Sequence, residues 1–358
     1  MINDFVEYWA AARLLLSGGN PYSPAELLET QREIGWSQSV PLIMWNPPWT
    51  LSFTALFGLV DYETAQFAWF LLHAVIVFVG AQYLWQIYGG DSQKSRYAWL
   101  SVLTFAPTYF VVLLGQIGPL MLLGLLGFLV FVRKGSWKLA GASMSLVSIK
   151  PHLLYLLWLG LILWVVNDRQ WKLFAGLILA GATAVSIPLA FNAGIYFRYV
   201  ELMGTADVLR PLDWATPSLG TALGEILAVR GMWIRWVPSV AGAMWFLWYW
   251  SRHAEAWDWI SELPLILLVS VATASFAWTF DHIVLLPAVI QCAVWTVSSE
   301  RKHQRRLVIG IHLALAAVLL VAKVFVRNDF WYFWVAPAFL FLYLYVRANV
   351  AADLGEQK

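Results

Sequence analysis

The chain has 358 residues, 61% of them hydrophobic and 12% charged, with a formal net charge of +2 and a mean hydropathy of +0.67. A soluble domain carries roughly 25% charge, and apolar runs of bilayer-crossing length recur here, so an ordinary soluble fold is excluded in favour of an all-α, polytopic integral membrane protein. No basic cluster resembles a nucleic-acid face, and the one cysteine, Cys292, rules out an internal disulfide and a cysteine metal site.

Residues 1–48 are polar, aromatic and turn-rich, and read as a head loop on one face of the membrane. They carry no basic segment followed by an apolar run, as a secretory leader would. A head outside the cytoplasm then needs unaided translocation or a membrane helix ahead of Met1, and the second is expected. Residues 49–60, after Pro47-Pro48, are too short to span and read as an interfacial or re-entrant helix. About eleven crossings follow, at 67–88, 97–114, 119–132, 138–149, 152–166, 172–191, 233–250, 263–280, 283–298, 307–326 and 331–346. The pair around Pro151 is either one kinked, tilted helix or two half-length helices meeting there. Residues 348–358 form a cytoplasmic tail, and the whole chain, 1–358, is one domain. Many of the 23 tryptophans and 14 tyrosines fall near the ends of apolar runs, as interfacial belts do.

Alternating the crossings with the head outside leaves 14 of the 23 basic residues in cytoplasmic connections, while the head carries five acidic residues against two basic ones. The positive-inside rule thus places the head outside. A single crossing through 138–166 would turn the SSERKHQRR run outward, so the charges favour two. The outer face then gathers the head, the GQIGP turn (115–119), the SIKPH turn (148–152), the loop 192–232 and the pair Asp281-His282.

Chemistry-bearing residues cluster in those segments. Asp4 and Glu7 share a face if the head is helical; one carboxylate can deprotonate a hydroxyl while the other positions it or a metal, or both simply favour a helix start. Lys150 and His152 flank Pro151 in an apolar stretch. There an ionisable group faces a cavity or partner, such as a phosphate, or snorkels to the headgroups. Asp281 and His282 suit a metal, a sugar hydroxyl, a proton relay or a tight polar turn. Gln116 is a turn residue or a hydroxyl-binding amide. Arg198, Arg210, Lys323 and Arg327 are basic where basic residues should be scarce, and each can hold an anionic lipid headgroup as substrate or as structural neighbour. No P-loop, dinucleotide loop or nucleophile elbow occurs.

The head DFVEYWAAARLLLSGGNPY followed by WNPPW resembles the first extracytoplasmic loop of glycosyltransferase family 87. The matching positions are Asp4, Tyr8, Gly18-Gly19, Asn20-Pro21-Tyr22 and Pro47-Pro48, joined by Gly115-Gln116, Lys150-Pro151 and the segment Trp278, Asp281, His282. Together they run from the head to about residue 290. Two features depart from the pattern: a membrane helix ordinarily precedes the Asp, and Asn46 stands before Pro-Pro where a tyrosine is expected.

The resemblance implies a GT-C-type membrane enzyme, often a mannosyltransferase, that takes a sugar from a polyprenyl phosphate and gives it to a glycan or glycolipid hydroxyl outside the cytoplasm. Membrane lipid is its surroundings; the sequence assigns no cofactor and leaves a divalent cation open. Asp4 would be the general base. Glu7, Tyr8, Tyr22, Trp45, Gln116, Asp281 and His282 would contact acceptor or sugar, with Trp9 and Trp49 stacking or covering the site. Lys150, His152, Arg198, Arg210, Lys323 and Arg327 would hold the donor phosphate. Two rival classes remain at this level: a transporter or lipid flippase using Lys150, Asp281 and His282 as an ion pathway, and a structural partner in an envelope-polymer complex. Absent repeat symmetry weighs against the carrier.

Overall fold

The computed structural model describes residues 2–204, 214–229, 231–326 and 328–351, all helix, turn and coil with no strand among them. The head is not a loop. It holds helices α1 (Phe5–Ser17) and α2 (Pro24–Glu33), and α1 is buried along nearly its whole length. Gly18 ends α1 in the left-handed conformation, φ 80°, its N–H reaching the carbonyls of Leu14 and Leu15. Ser23 caps α2 ahead of Pro24, a strong start signal. The expected helix over 49–60 is broken into a 3-10 turn (Pro48–Thr50), α3 (Leu51–Thr54) and a second 3-10 turn (Ala55–Leu59). These pieces pack under α1, where Trp9 Nε1 donates to the Val60 carbonyl at 3.1 Å.

The membrane body follows: α4 (Tyr62–Ile87), α5 (Arg96–Leu103), α6 (Ala106–Leu114), α7 (Gly118–Arg133), α8 (Trp137–Val147), α9 (Tyr155–Asn167), α10 (Trp171–Phe191), α11 (Ile195–Gly204) and α12 (Leu219–Ile226). After them come α13 (Val237–His253), α14 (Trp259–Thr273), a 3-10 segment (Thr279–Leu285), α15 (Leu286–Ser298), α16 (Lys302–Phe325) and α17 (Val335–Val346). Among the described residues, five helical stretches are long and apolar enough to span a membrane, or six if α5 and α6, bent by 62° at Thr104–Phe105, form one broken span. The shorter apolar helices α7, α9 and α14 coincide in sequence with three more of the expected segments but are each below full bilayer length. The chain breaks at Pro151 into α8 and α9, the two-helix alternative.

Small residues let α7, α8 and α10 approach closely. A Cβ on Gly141 would strike the Leu173 backbone, and one on Gly176 the Lys138 backbone. In lipid, where apolar burial does not drive helices together, such contacts carry the packing. Arg133 donates to the Gln86 carbonyl at 3.0 Å, so the α4–α5 and α7–α8 connections share one end of the bundle. The head, the Gln116 turn and the Lys150 turn meet at the other.

Candidate active site

At that second end lies a cavity of about 920 Å³. Its walls take residues from all five segments assigned above to the outer face: Asp4, Glu7 and Tyr8; Gln116; Lys150 and His152; Tyr199, Trp214 and Thr216; Trp278 and Asp281. Asn328 and Asp329, from the connection between α16 and α17, complete it.

Asp4 occupies the N-cap position of α1, yet its side chain makes no cap hydrogen bond. Its Oδ2 instead accepts from Gln116 Nε2 at 2.9 Å, while Gln116 Oε1 accepts from the Tyr8 hydroxyl at 3.1 Å. The GQ turn is held for this contact. Gly115 adopts φ 70°, and a Cβ there would press on Phe5 and on the Asn3 side chain at about 3 Å. Trp69 Nε1 donates to the Gly115 carbonyl at 2.9 Å, and Asn3 Nδ2 to that of Leu113 at 3.0 Å.

Burial raises the Asp4 pKa above the ordinary carboxylate value, with the Gln116 hydrogen bond and Lys150 pulling it back. Glu7, 8% exposed one turn away, is pushed up to about 8 by burial first and by the Asp4 charge second. Glu7 is pushed up partly by the Asp4 charge, so of the two Asp4 gives up its proton first and the negative charge of this corner falls on it. A carboxylate with a raised pKa is a better general base than one in water.

Lys150 enters from the break between α8 and α9. Its Nζ pairs with Asp281 Oδ1 at 2.7 Å, with the two side chains 13% and 3% exposed. It also lies 5.1 Å over the Phe280 ring. Asp281 Oδ2 accepts from the Trp278 backbone N–H at 3.0 Å, which fixes the carboxylate as the ammonium's partner. One ammonium hydrogen is thus engaged, leaving donors for an anion in the cavity. The break itself is pinned by the WNPPW segment: Asn46 Nδ2 donates to the Ile149 carbonyl at 3.4 Å and Trp49 Nε1 to that of Ser148 at 3.2 Å.

An aromatic wall faces these groups. Trp45 meets Trp214 edge-on at 6.5 Å, Trp214 meets Trp278 at 5.8 Å, and Trp278 stacks on Phe280 at 6.0 Å. Flat apolar faces beside polar groups suit a sugar ring, which has one face of C–H bonds and a rim of hydroxyls.

Not every expected residue reaches the cavity. Tyr22 is buried behind the wall, donating to the Asn46 carbonyl at 3.2 Å, so it braces the WNPPW segment. Trp9 and Trp49 likewise spend their indole N–H groups on backbone carbonyls. His282 is buried behind Asp281 and does not line the cavity. Arg198 is exposed on α11, away from it. Lys323 is paired with Asp329 and lies over the Phe110 and Tyr332 rings, reaching the site through Asp329. Arg210 and Arg327 lie outside the described residues. No group of three or more His, Cys, Asp or Glu side chains among the described residues is placed to hold a metal ion.

Asn328, Asp329 and Trp214 are lining residues that sequence reasoning missed. Asp329 carried a signal: an acid beside Arg327 in the short polar link between two apolar runs.

The chain matches glycosyltransferase family 87 over residues 45–275, more than half of its length. That span includes Trp45, Gln116, Lys150 and His152, whereas Asp4, Glu7, Tyr8, Asp281 and Asp329 lie outside it. No curated protein and no solved structure matches.

Proposed function

The chain belongs to glycosyltransferase family 87, and we propose that it moves a hexose, mannose favoured, from a polyprenyl phosphate to a hydroxyl of a lipid-linked or envelope glycan. The reaction takes place at the extracytoplasmic face of the plasma (inner) membrane, with the reading of sidedness resting on the distribution of basic loops. The observation that carries the proposal is that Asp4 and Lys150, far apart in sequence, line one cavity together with a tryptophan wall.

Asp4 takes the proton of the attacking hydroxyl, and Gln116 holds it at the angle to do so. Glu7, protonated, offers a hydrogen-bond donor to acceptor or sugar without adding a second negative charge next to the base. The new bond forms between the acceptor oxygen and the anomeric carbon as the bond from that carbon to the phosphate oxygen breaks, and the electron pair leaves on the phosphate. A phosphate leaving group is already a weak base, so it needs positive charge more than a proton. Lys150, oriented by Asp281, supplies that charge. A single displacement inverts the anomeric centre. The donor's polyprenyl chain lies among the helices while its sugar rests against Trp214 and Trp278.

The test uses membranes containing the protein and a panel of polyprenyl phosphates carrying different labelled hexoses. Transfer of label to a glycan acceptor, with inverted anomeric configuration, is expected. Movement of intact donor across the bilayer without bond cleavage would replace the reading with a carrier.

A further inference from the structure

A second cavity, of about 280 Å³, opens on the apolar flank of the bundle and shares no lining residue with the catalytic one. It is an open groove between α5, α14, α15, α16 and α17, walled by buried Leu268, Val308 and Phe339 and flanked by exposed Leu100, Ile309 and Leu313. The α15 residues that line it, Ala288 to Val297, lie seven to sixteen positions beyond Asp281. At 1.5 Å per helical residue this puts the cavity roughly 10–24 Å deeper than the Lys150–Asp281 pair, toward the opposite end of the bundle. Its volume is roughly that of nine water-sized groups, comparable to a stretch of hydrocarbon chain. Its wall on one side is α16, a helix that is largely exposed along its length and buries only Val308, Ala316 and Leu319.

The rim is basic. Arg305 and Arg306 precede Val308 and Ile309 by three positions, so each sits one turn toward the helix start on the face of its lining residue. Arg96 begins α5, and its guanidinium lies 5.5 Å from the ring of Tyr97, which itself lines the cavity. Among the described residues, no acidic side chain pairs with Arg96, Arg305 or Arg306.

We propose that this cavity and its rim are a binding site for an anionic glycerophospholipid, one acyl chain seated between α5 and α16 and the headgroup phosphate held by Arg96, Arg305 and Arg306. Charge complementarity at one end and an apolar cavity at the other select such a molecule over a zwitterionic lipid. The site stands apart from the transfer chemistry and does not depend on it.

Native mass spectrometry of the full chain released from detergent micelles tests the site, with bound lipid counted while lipid is titrated in. Phosphatidylglycerol is expected to be retained at lower concentration than phosphatidylcholine of the same chains. Each basic contact near a membrane surface contributes about five-fold in affinity, so Arg305→Gln with Arg306→Gln should raise the half-saturating phosphatidylglycerol concentration by about 30-fold. The melting temperature of that variant in lipid-free micelles should equal the wild-type value, which establishes that it is folded. Equal retention of the two phospholipids, or phosphatidylglycerol binding that the two substitutions leave unchanged, overturns the proposal. Polyprenyl phosphate binding that is tighter than that of phosphatidylglycerol and is weakened by the same two substitutions overturns it as well, assigning the cavity to the donor's chain.

Discussion

Glu7→Gln isolates the charge balance at the base. Gln has nearly the shape of the protonated carboxyl that burial imposes on Glu7, but it never needs to draw a proton from solution. The Glu7 pKa rises from an ordinary 4.5 to about 8 in the folded chain. Between those values the native state binds a proton that the unfolded state has released. Stability is therefore greatest below pH 4.5 and falls steadily until the pH passes 8. At pH 7 the gap from the unfolded value is about 2.5 units, which at 1.36 kcal/mol each costs the wild type about 3 kcal/mol relative to acid conditions. Gln escapes that cost. For a chain of this size, at roughly 2 °C per kcal/mol, the variant should melt about 6 °C above wild type at pH 7 and close to it at pH 5. The assay is thermal unfolding in detergent micelles across pH 5 to 8.5. Parallel curves for the two proteins would refute the reasoning, because they would mean that Glu7 ionises in the folded chain as it does in water.

Substitutions at three further places probe the rest of the cavity: Gln116, the Lys150–Asp281 pair and Trp214. Gln116→Leu removes both the donor to Asp4 and the acceptor for Tyr8. It should cost about 2 kcal/mol of stability and lower kcat at least tenfold with KM little changed, as unfolding and steady-state transfer assays would read. Asp281→Asn leaves the Lys150 ammonium without its anion and should destabilise by about 3 kcal/mol, whereas Lys150→Met combined with Asp281→Leu should lose less than either single change, measured as a thermal double-mutant cycle. Trp214→Ala opens the aromatic wall and should raise KM for the sugar donor roughly five- to tenfold, with the melting temperature nearly unchanged.

Much of the architecture could be read from the chain because hydrocarbon thickness and loop charge are strong constraints. Pro151 broke the helix as its lost N–H requires, leaving the separate helices α8 and α9 on its two sides. The head was harder. Its polar and aromatic composition suggested a loop, but Phe5, Tyr8 and Trp9 pack inward and make α1 part of the core. Composition averaged over the segment hid that face. Asp4, Gln116, Lys150 and Asp281 could be picked out singly, since each is a polar group next to an apolar run. Their partnerships could not: that Gln116 bonds Asp4 and that Asp281 bonds Lys150 follows from packing between segments more than a hundred residues apart. That Tyr22 stands behind the cavity wall has a related reason. In Asn20-Pro21-Tyr22 the Asn20 side chain caps the turn at the Tyr22 N–H and Asn20 N–H binds Glu26, so the motif is a brace that supports WNPPW.

The central claim is that Asp4 deprotonates the acceptor while Lys150 holds the donor phosphate across the same cavity. Asp4→Asn preserves shape and can still bond Gln116 but cannot accept the proton. Single-turnover transfer from a labelled polyprenyl-phosphate sugar, measured beside donor binding, tests this directly. The account predicts donor binding within about two-fold of wild type and a transfer rate lower by roughly 10²- to 10⁴-fold. Transfer by Asp4→Asn at the wild-type rate would contradict it.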